Sequence, residues 1–152
     1  MKKLALTDFA KYRYPSALEL SPDGRYLTFA LKDVDREGDG YRWNLWLYDL
    51  ERRESRQITQ GDDQRKAVWE DNTHILYKTT EPDEALRARG FEEEWTVYHR
   101  LNVCTGEDRE AFRLPMSVSG LWKMDEGRYV FTGETHLDRP NLLELTGEAL
   151  EK

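Results

Sequence analysis

Among the residues whose type and spacing offer chemistry, the adjacent carboxylates Glu92 and Glu93 come first, because paired acids can hold the ammonium group of a ligand. They lie in the stretch Glu81 to Glu94, where Pro82 and Gly90 bracket a short predicted helix and the plainer reading is a solvated acidic loop. Asp33-Val34-Asp35-Arg36-Glu37-Gly38 opens like a calcium loop, with acids at positions 1, 3 and 5 and glycine at 6. Position 12 is Asn44 instead of a bidentate glutamate, so the stretch reads as a mobile acidic loop joining two strands. His74, His99 and His136 fall on different elements, and no Cys or His pair has zinc-ligand spacing. No metal and no cofactor is expected. Cys104 stands beside a Thr105-Gly106 turn with nothing pointing to a partnering histidine. None of Ser16, Ser21, Ser55, Ser117 and Ser119 sits in a G-x-S-x-G elbow, so no catalytic residue is assigned.

The elements that carry these residues repeat. Leu20-Ser21-Pro22-Asp23-Gly24-Arg25-Tyr26-Leu27-Thr28-Phe29 reads as a strand, a tight turn and a second strand. Trp69-Glu70-Asp71-Asn72-Thr73 leads likewise into His74-Ile75-Leu76-Tyr77, and Trp122 to Gly127 leads into Arg128-Tyr129-Val130-Phe131. Tyr26, His74 and Tyr129 correspond, 48 and 55 residues apart, slightly more than the roughly 40 to 50 of one four-stranded propeller blade. Trp43 to Leu50 and Glu94 to Val103 supply inner strands, and Arg56-Gln57-Ile58-Thr59 and Arg109 to Arg113 outer ones.

The expected fold is therefore all-β: a partial β-propeller of two complete four-stranded antiparallel blades and an incomplete third. The blades cover about 15–60, 65–114 and 118–152, after a lead-in of residues 1–14. A generic antiparallel meander is the alternative. In the first turn Pro22 presets φ, Asp23 caps with its side chain and Gly24 accepts positive φ. The second copy lacks both Pro and Gly, leaving Asp71-Asn72 to reverse the chain.

A closed ring needs roughly four to eight blades, so three leave two sheet faces open. Leaving about 400 Å² uncovered on each costs on the order of 10 kcal/mol per face at most. The simplest expectation is a longer polypeptide with further blades after Lys152. Alone, the chain is expected to self-associate around Tyr129 to Leu145 or to use its terminal segments as lids.

The chain is 38% hydrophobic, 12% aromatic and 35% charged, which suits one globular unit. A net charge of −7 without a basic stripe argues against nucleic acid. Thr7 and Asp8 interrupt the apolar run Leu4-Ala5-Leu6, and Thr7 is placed to cap a short amino-terminal helix through Tyr12, docked by Leu6, Phe9 and Tyr12. No stretch reaches the length of a bilayer span, and one cysteine excludes an intrachain disulfide framework. The expectation is a cytoplasmic protein with no membrane partner.

Tyr14 to Phe29, followed by Asn44-Leu45-Trp46-Leu47-Tyr48-Asp49-Leu50 and Arg56-Gln57-Ile58-Thr59, resembles the amino-terminal propeller of prolyl oligopeptidase family serine peptidases, in particular the acylaminoacyl-peptidase-like branch. The resemblance covers about the first 135 residues. It implies a non-catalytic propeller that gates oligopeptide access to a carboxyl-terminal α/β-hydrolase domain carrying a Ser-Asp-His triad, none of which lies in this chain. Acidic propeller residues bind the substrate's free amino terminus in some relatives, and Glu92 or Glu93 is the candidate here. TolB-like interaction modules share the S-P-D-G and L-W-x-x-D-[LV] rhythm and form the alternative.

Overall fold

The computed structural model describes residues 8, 11–35, 38–82, 84–88, 94–125 and 127–134. Strands β1 (Tyr14–Leu20), β2 (Tyr26–Asp35), β3 (Gly40–Asp49) and β4 (Glu54–Gln57) form sheet 1, in that order. Sheet 2 has the same sequential order in β5 (Ala67–Trp69), β6 (His74–Pro82), β7 (Glu94–Asn102) and β8 (Asp108–Leu114), with the four-residue helix α1 (Glu84–Arg87) between β6 and β7. Strands β9 (Ser117–Asp125) and β10 (Arg128–Glu134) pair as an antiparallel hairpin. Tyr26 and His74 each open the second strand of a sheet, whereas in the hairpin the second strand opens at Arg128, one residue before Tyr129, the residue aligned with them.

The fold is all-β in its sheets, and the register explains the sequence pattern. Along β2 and β3, Thr28 pairs with Leu47 and Ala30 with Leu45, placing Ala30, Leu45 and Leu47 on one face of sheet 1. That face is dry: Ala30, Leu45 and Leu47 pack with Ala67, Trp69, Ile75, Tyr77, Leu101 and Val103 of sheet 2 in one core cluster. Trp69 ties the sheets further, donating its indole N–H to the Glu19 carbonyl at 3.1 Å and stacking on Tyr26 at 6.5 Å. A buried indole N–H needs such a partner.

Two compact units emerge, residues 1–79 with 98–111 and residues 80–97 with 112–152. The core just described belongs to the first. In the second, the Thr96 hydroxyl donates to the Met116 carbonyl at 2.7 Å and accepts from the Val118 amide at 3.0 Å. Phe112 packs on Tyr129, and Val118 and Leu121 are buried.

Several expectations change. Of the acidic stretch, Asp33 and Asp35 lie in β2 rather than in a loop, opposite Arg42 and Gly40, because the hairpin ladder runs on to Asp35; Arg36 and Glu37 lie outside the described residues. The outer strand spans Glu54–Gln57 rather than Arg56 to Thr59. Ile58 and Thr59 still follow β3, the Ile58 amide bonding the Leu45 carbonyl and the Thr59 hydroxyl accepting from the Leu45 amide. The amino-terminal α-helix is not seen as an element. Thr7, Phe9 and Ala10 lie outside the described residues, Asp8 and Lys11 have 3-10 geometry and pair with each other, and Tyr12 is 57% exposed instead of docked.

Candidate functional site

The first unit holds a cleft of about 430 Å³ where the β1–β2 and β3–β4 turns meet the turn after β7. Its walls carry Arg25, Arg52 and Arg56 against Asp49 and Glu54, and Leu47, Tyr26 and Val103 supply its apolar surface. Asp49 organises the β3–β4 turn, where its carboxylate accepts the Glu51 and Arg52 amides, each at 3.0 Å. The Arg52 amide, outweighing a small burial penalty, holds that carboxyl below the usual range. Arg25 and Arg52 both reach Asp49 at 3.9 Å, and Arg25 lies 4.9 Å above the Tyr26 ring. Arg56 donates to the Val103 carbonyl.

Cys104 lies in this cleft, exposed, with its Sγ 3.8 Å from the Tyr26 hydroxyl. Burial, then the Cys104 bond, pushes the Tyr26 phenol up. A phenol held neutral is no base for a thiol, so the arrangement can bind charged groups through its guanidiniums but holds no nucleophile–base pair.

A second constellation escaped sequence reasoning. On the sheet 2 face that turns to sheet 1, the Thr79 hydroxyl is 3.1 Å from His99 Nε2 and His99 Nδ1 is 3.7 Å from Asp108. Tyr77 donates to Asp108 at 2.5 Å and stacks on the His99 ring at 5.2 Å. Burial, reinforced by the Asp108 bond, raises the Tyr77 phenol strongly. The signal was in the period of two: Tyr77 and Thr79 share a face of β6, and His99 faces them from β7. Hydroxyl, imidazole and carboxylate stand in the order of a catalytic triad. Thr79, His99 and Asp108 line none of the three described clefts. The network satisfies polar groups at the margin of the core.

No family model matches this sequence, and no curated protein does. A solved structure does. The chain is similar to the Pyrococcus horikoshii acylaminoacyl peptidase, at 15% identity and a TM-score of 0.43, over 76% of this chain and 27% of that one. It thus spans about a quarter of that protein's length.

Glu92 and Glu93 lie outside the described residues. The short helix expected between Pro82 and Gly90 is α1. His74 and His99 remain on separate clusters, His74 bonding Asp71 at 2.9 Å and standing 3.2 Å from Asn102. Among the described residues no group of three or more His, Cys, Asp or Glu is arranged to hold a metal ion. No helix among them is long and apolar enough to cross a membrane.

Proposed function

We propose that this chain is the amino-terminal, non-catalytic propeller portion of a cytoplasmic serine peptidase of the prolyl oligopeptidase family. The observation that supports this reading is the recurrence of one local unit, turn then strand, at the head of the second strand in three separate sheets, two of them four-stranded meanders packed face to face. Radially stacked meanders are how propellers are built. The motifs Ser21-Pro22-Asp23-Gly24 and Leu45-Trp46-Leu47-Tyr48-Asp49-Leu50, which carry the family resemblance, form the first turn and the end of the packed strand β3 with the turn residue Leu50 after it.

In this reading the sheets gate oligopeptides toward an α/β-hydrolase domain supplied by the rest of a longer polypeptide. Glu92 and Glu93 take the peptide's ammonium group, since a carboxylate pair is worth most against a charged donor. The test is to read the coding sequence past Lys152 and label its product with a fluorophosphonate. A G-x-S-x-G elbow followed by Asp and His, with one labelled serine, is the expected result. A stop codon after further sheets, with no labelling, would instead make this a TolB-like interaction module. In the full polypeptide, Glu92→Gln with Glu93→Gln is expected to raise KM roughly tenfold for peptides with a free amino terminus and leave acylated ones unchanged.

A further inference from the structure

Three arginines meet in the cleft of the first unit, and the carboxylates beside them leave their donors largely unspent. Elsewhere in the chain such pairs close: Arg65 reaches Asp63 and Arg128 reaches Asp125, each at 2.7 Å, and Arg100 makes two bonds to Glu70. In the cleft, one oxygen of Asp49 is taken by the Glu51 and Arg52 amides. The other stands 3.9 Å from Arg25 and 3.9 Å from Arg52, which sets the two guanidiniums side by side but beyond hydrogen-bond reach. Among the described residues, Glu54 pairs with none of the three. The Nε of Arg25 is also the one buried side-chain polar atom among the described residues without a hydrogen-bond partner, with Glu51 3.5 Å away. A buried polar group in that state calls for a partner. Arg56 commits one nitrogen to the Val103 carbonyl, and the Arg52 side chain is 72% exposed.

We propose that this cleft binds a small phosphate monoester with an apolar body. Arg25 comes from the β1–β2 turn, Arg52 from the β3–β4 turn and Arg56 from β4, so the guanidiniums are supplied by three elements. A carboxylate offers two coplanar oxygens, which a single guanidinium fork can take up. A phosphate monoester offers three oxygens around a tetrahedral phosphorus and so uses several forks. Three positive groups face two negative ones here, in a chain whose net charge is −7, so the charge of the cleft is opposite in sign to that of the whole. Its volume of about 430 Å³ suits a small organic molecule, and Tyr26, Leu47 and Val103 offer apolar surface to the body of the ester. The inference rests on this lining and does not depend on the peptidase reading.

Cys104, the single cysteine of the chain, lies exposed in the same cleft and reports on it. At constant ionic strength, phenyl phosphate is expected to slow alkylation of Cys104 by iodoacetamide severalfold and saturably, with calorimetry counting one site per chain. Benzoate, which keeps the ring but carries a carboxylate, and inorganic phosphate, which lacks the ring, are each expected to bind about tenfold more weakly. Arg52→Gln, at an exposed position, is expected to weaken phenyl phosphate by about tenfold with the β-sheet circular dichroism signal kept. Arg87→Gln, outside the cleft, is expected to change nothing. Absence of protection up to about 10 mM phenyl phosphate overturns the proposal, as does protection that Arg52→Gln leaves intact. Benzoate or inorganic phosphate binding as tightly as phenyl phosphate overturns it as well, since the cleft would then read charge alone. Heat of binding without protection of Cys104 would place the anion elsewhere, such as against Lys11, Arg13 and Arg42 of the neighbouring cleft, and overturns it too.

Discussion

Between β1 and β2 the chain reverses on Ser21-Pro22-Asp23-Gly24, while between β5 and β6 it reverses on Glu70-Asp71-Asn72-Thr73 with neither proline nor glycine. In the first turn the Ser21 amide donates to the Tyr26 carbonyl at 2.8 Å, and the Ser21 hydroxyl both accepts from the Tyr26 amide at 2.9 Å and donates to Asp23 at 2.6 Å. Asp23 then accepts the Arg25 amide at 3.1 Å, and Gly24 takes a φ of 74°. In the second turn the Glu70 amide reaches the His74 carbonyl at 2.9 Å, but one oxygen of Asp71 takes the Thr73 and His74 amides, both at 2.7 Å. The first turn shares its polar work between Ser21 and Asp23 and adds a permissive glycine. The second concentrates it on a single carboxylate.

The largest test asks whether the sheets behind these turns are energetically equivalent. Leu45 and Ile75 are both fully buried in the shared core, one from each sheet. Leu45→Ala and Ile75→Ala are each expected to cost about 3–4 kcal/mol in urea unfolding, since each removes a buried branched side chain and leaves a cavity. Costs differing by more than about 2 kcal/mol would mean that one sheet relaxes around the gap and the other does not.

The turns themselves come next. Asp71→Ala is expected to cost about 1.5 kcal/mol, as removal of a cap that satisfies two amides. Asp23→Ala is expected to cost only about half of that, because Ser21 still holds the Tyr26 amide. Equal losses would erase the contrast. Gly24→Ala is expected to cost about 1 kcal/mol: nothing stands within 4 Å of the added Cβ, so the whole penalty is the backbone's positive φ. Since no residue of the second turn has a positive φ, it has no counterpart to that penalty.

How far these features were legible follows from the range of the interactions. The Pro22-Asp23-Gly24 turn and the alternation along β2 and β3 are local and could be read directly, as could the onset of each second strand at Tyr26, His74 and Arg128. The ends of strands were less legible. Whether Asp33 and Asp35 form a loop or a ladder depends on Arg42 and Gly40 across the hairpin, and polar composition alone suggested a loop. The Thr79, His99 and Asp108 cluster is assembled from three strands, so its members looked unrelated along the chain until the register was known. The arginine cleft was missed for the same reason: Arg25, Arg52 and Arg56 come from two turns and a strand, and Cys104 from a turn of the other sheet.

The smallest expected effect separates the turns by pH. Burial pushes the Asp71 carboxyl up, but the Thr73 and His74 amides together with the Thr73 and His74 side chains outweigh it and bring the group down to about 2, from 3.8. Its folded pKa lies below the unfolded one, so its contribution is complete above about pH 4 and is lost as pH falls from there toward 2. Asp71 is 56% exposed, and solvent screening reduces the effect to under about 1 kcal/mol. Asp23 is also held low, first by the Ser21 hydroxyl and then by the Arg25 amide, but there the hydroxyl can rotate to accept when the acid is protonated. Urea midpoints measured from pH 5 to pH 2 are therefore expected to fall less steeply for Asp71→Asn than for the parent, with Asp23→Asn keeping nearly the parent slope. If Asp23→Asn flattens the curve as much as Asp71→Asn does, the carboxylate dominates both turns and the serine in the first is replaceable.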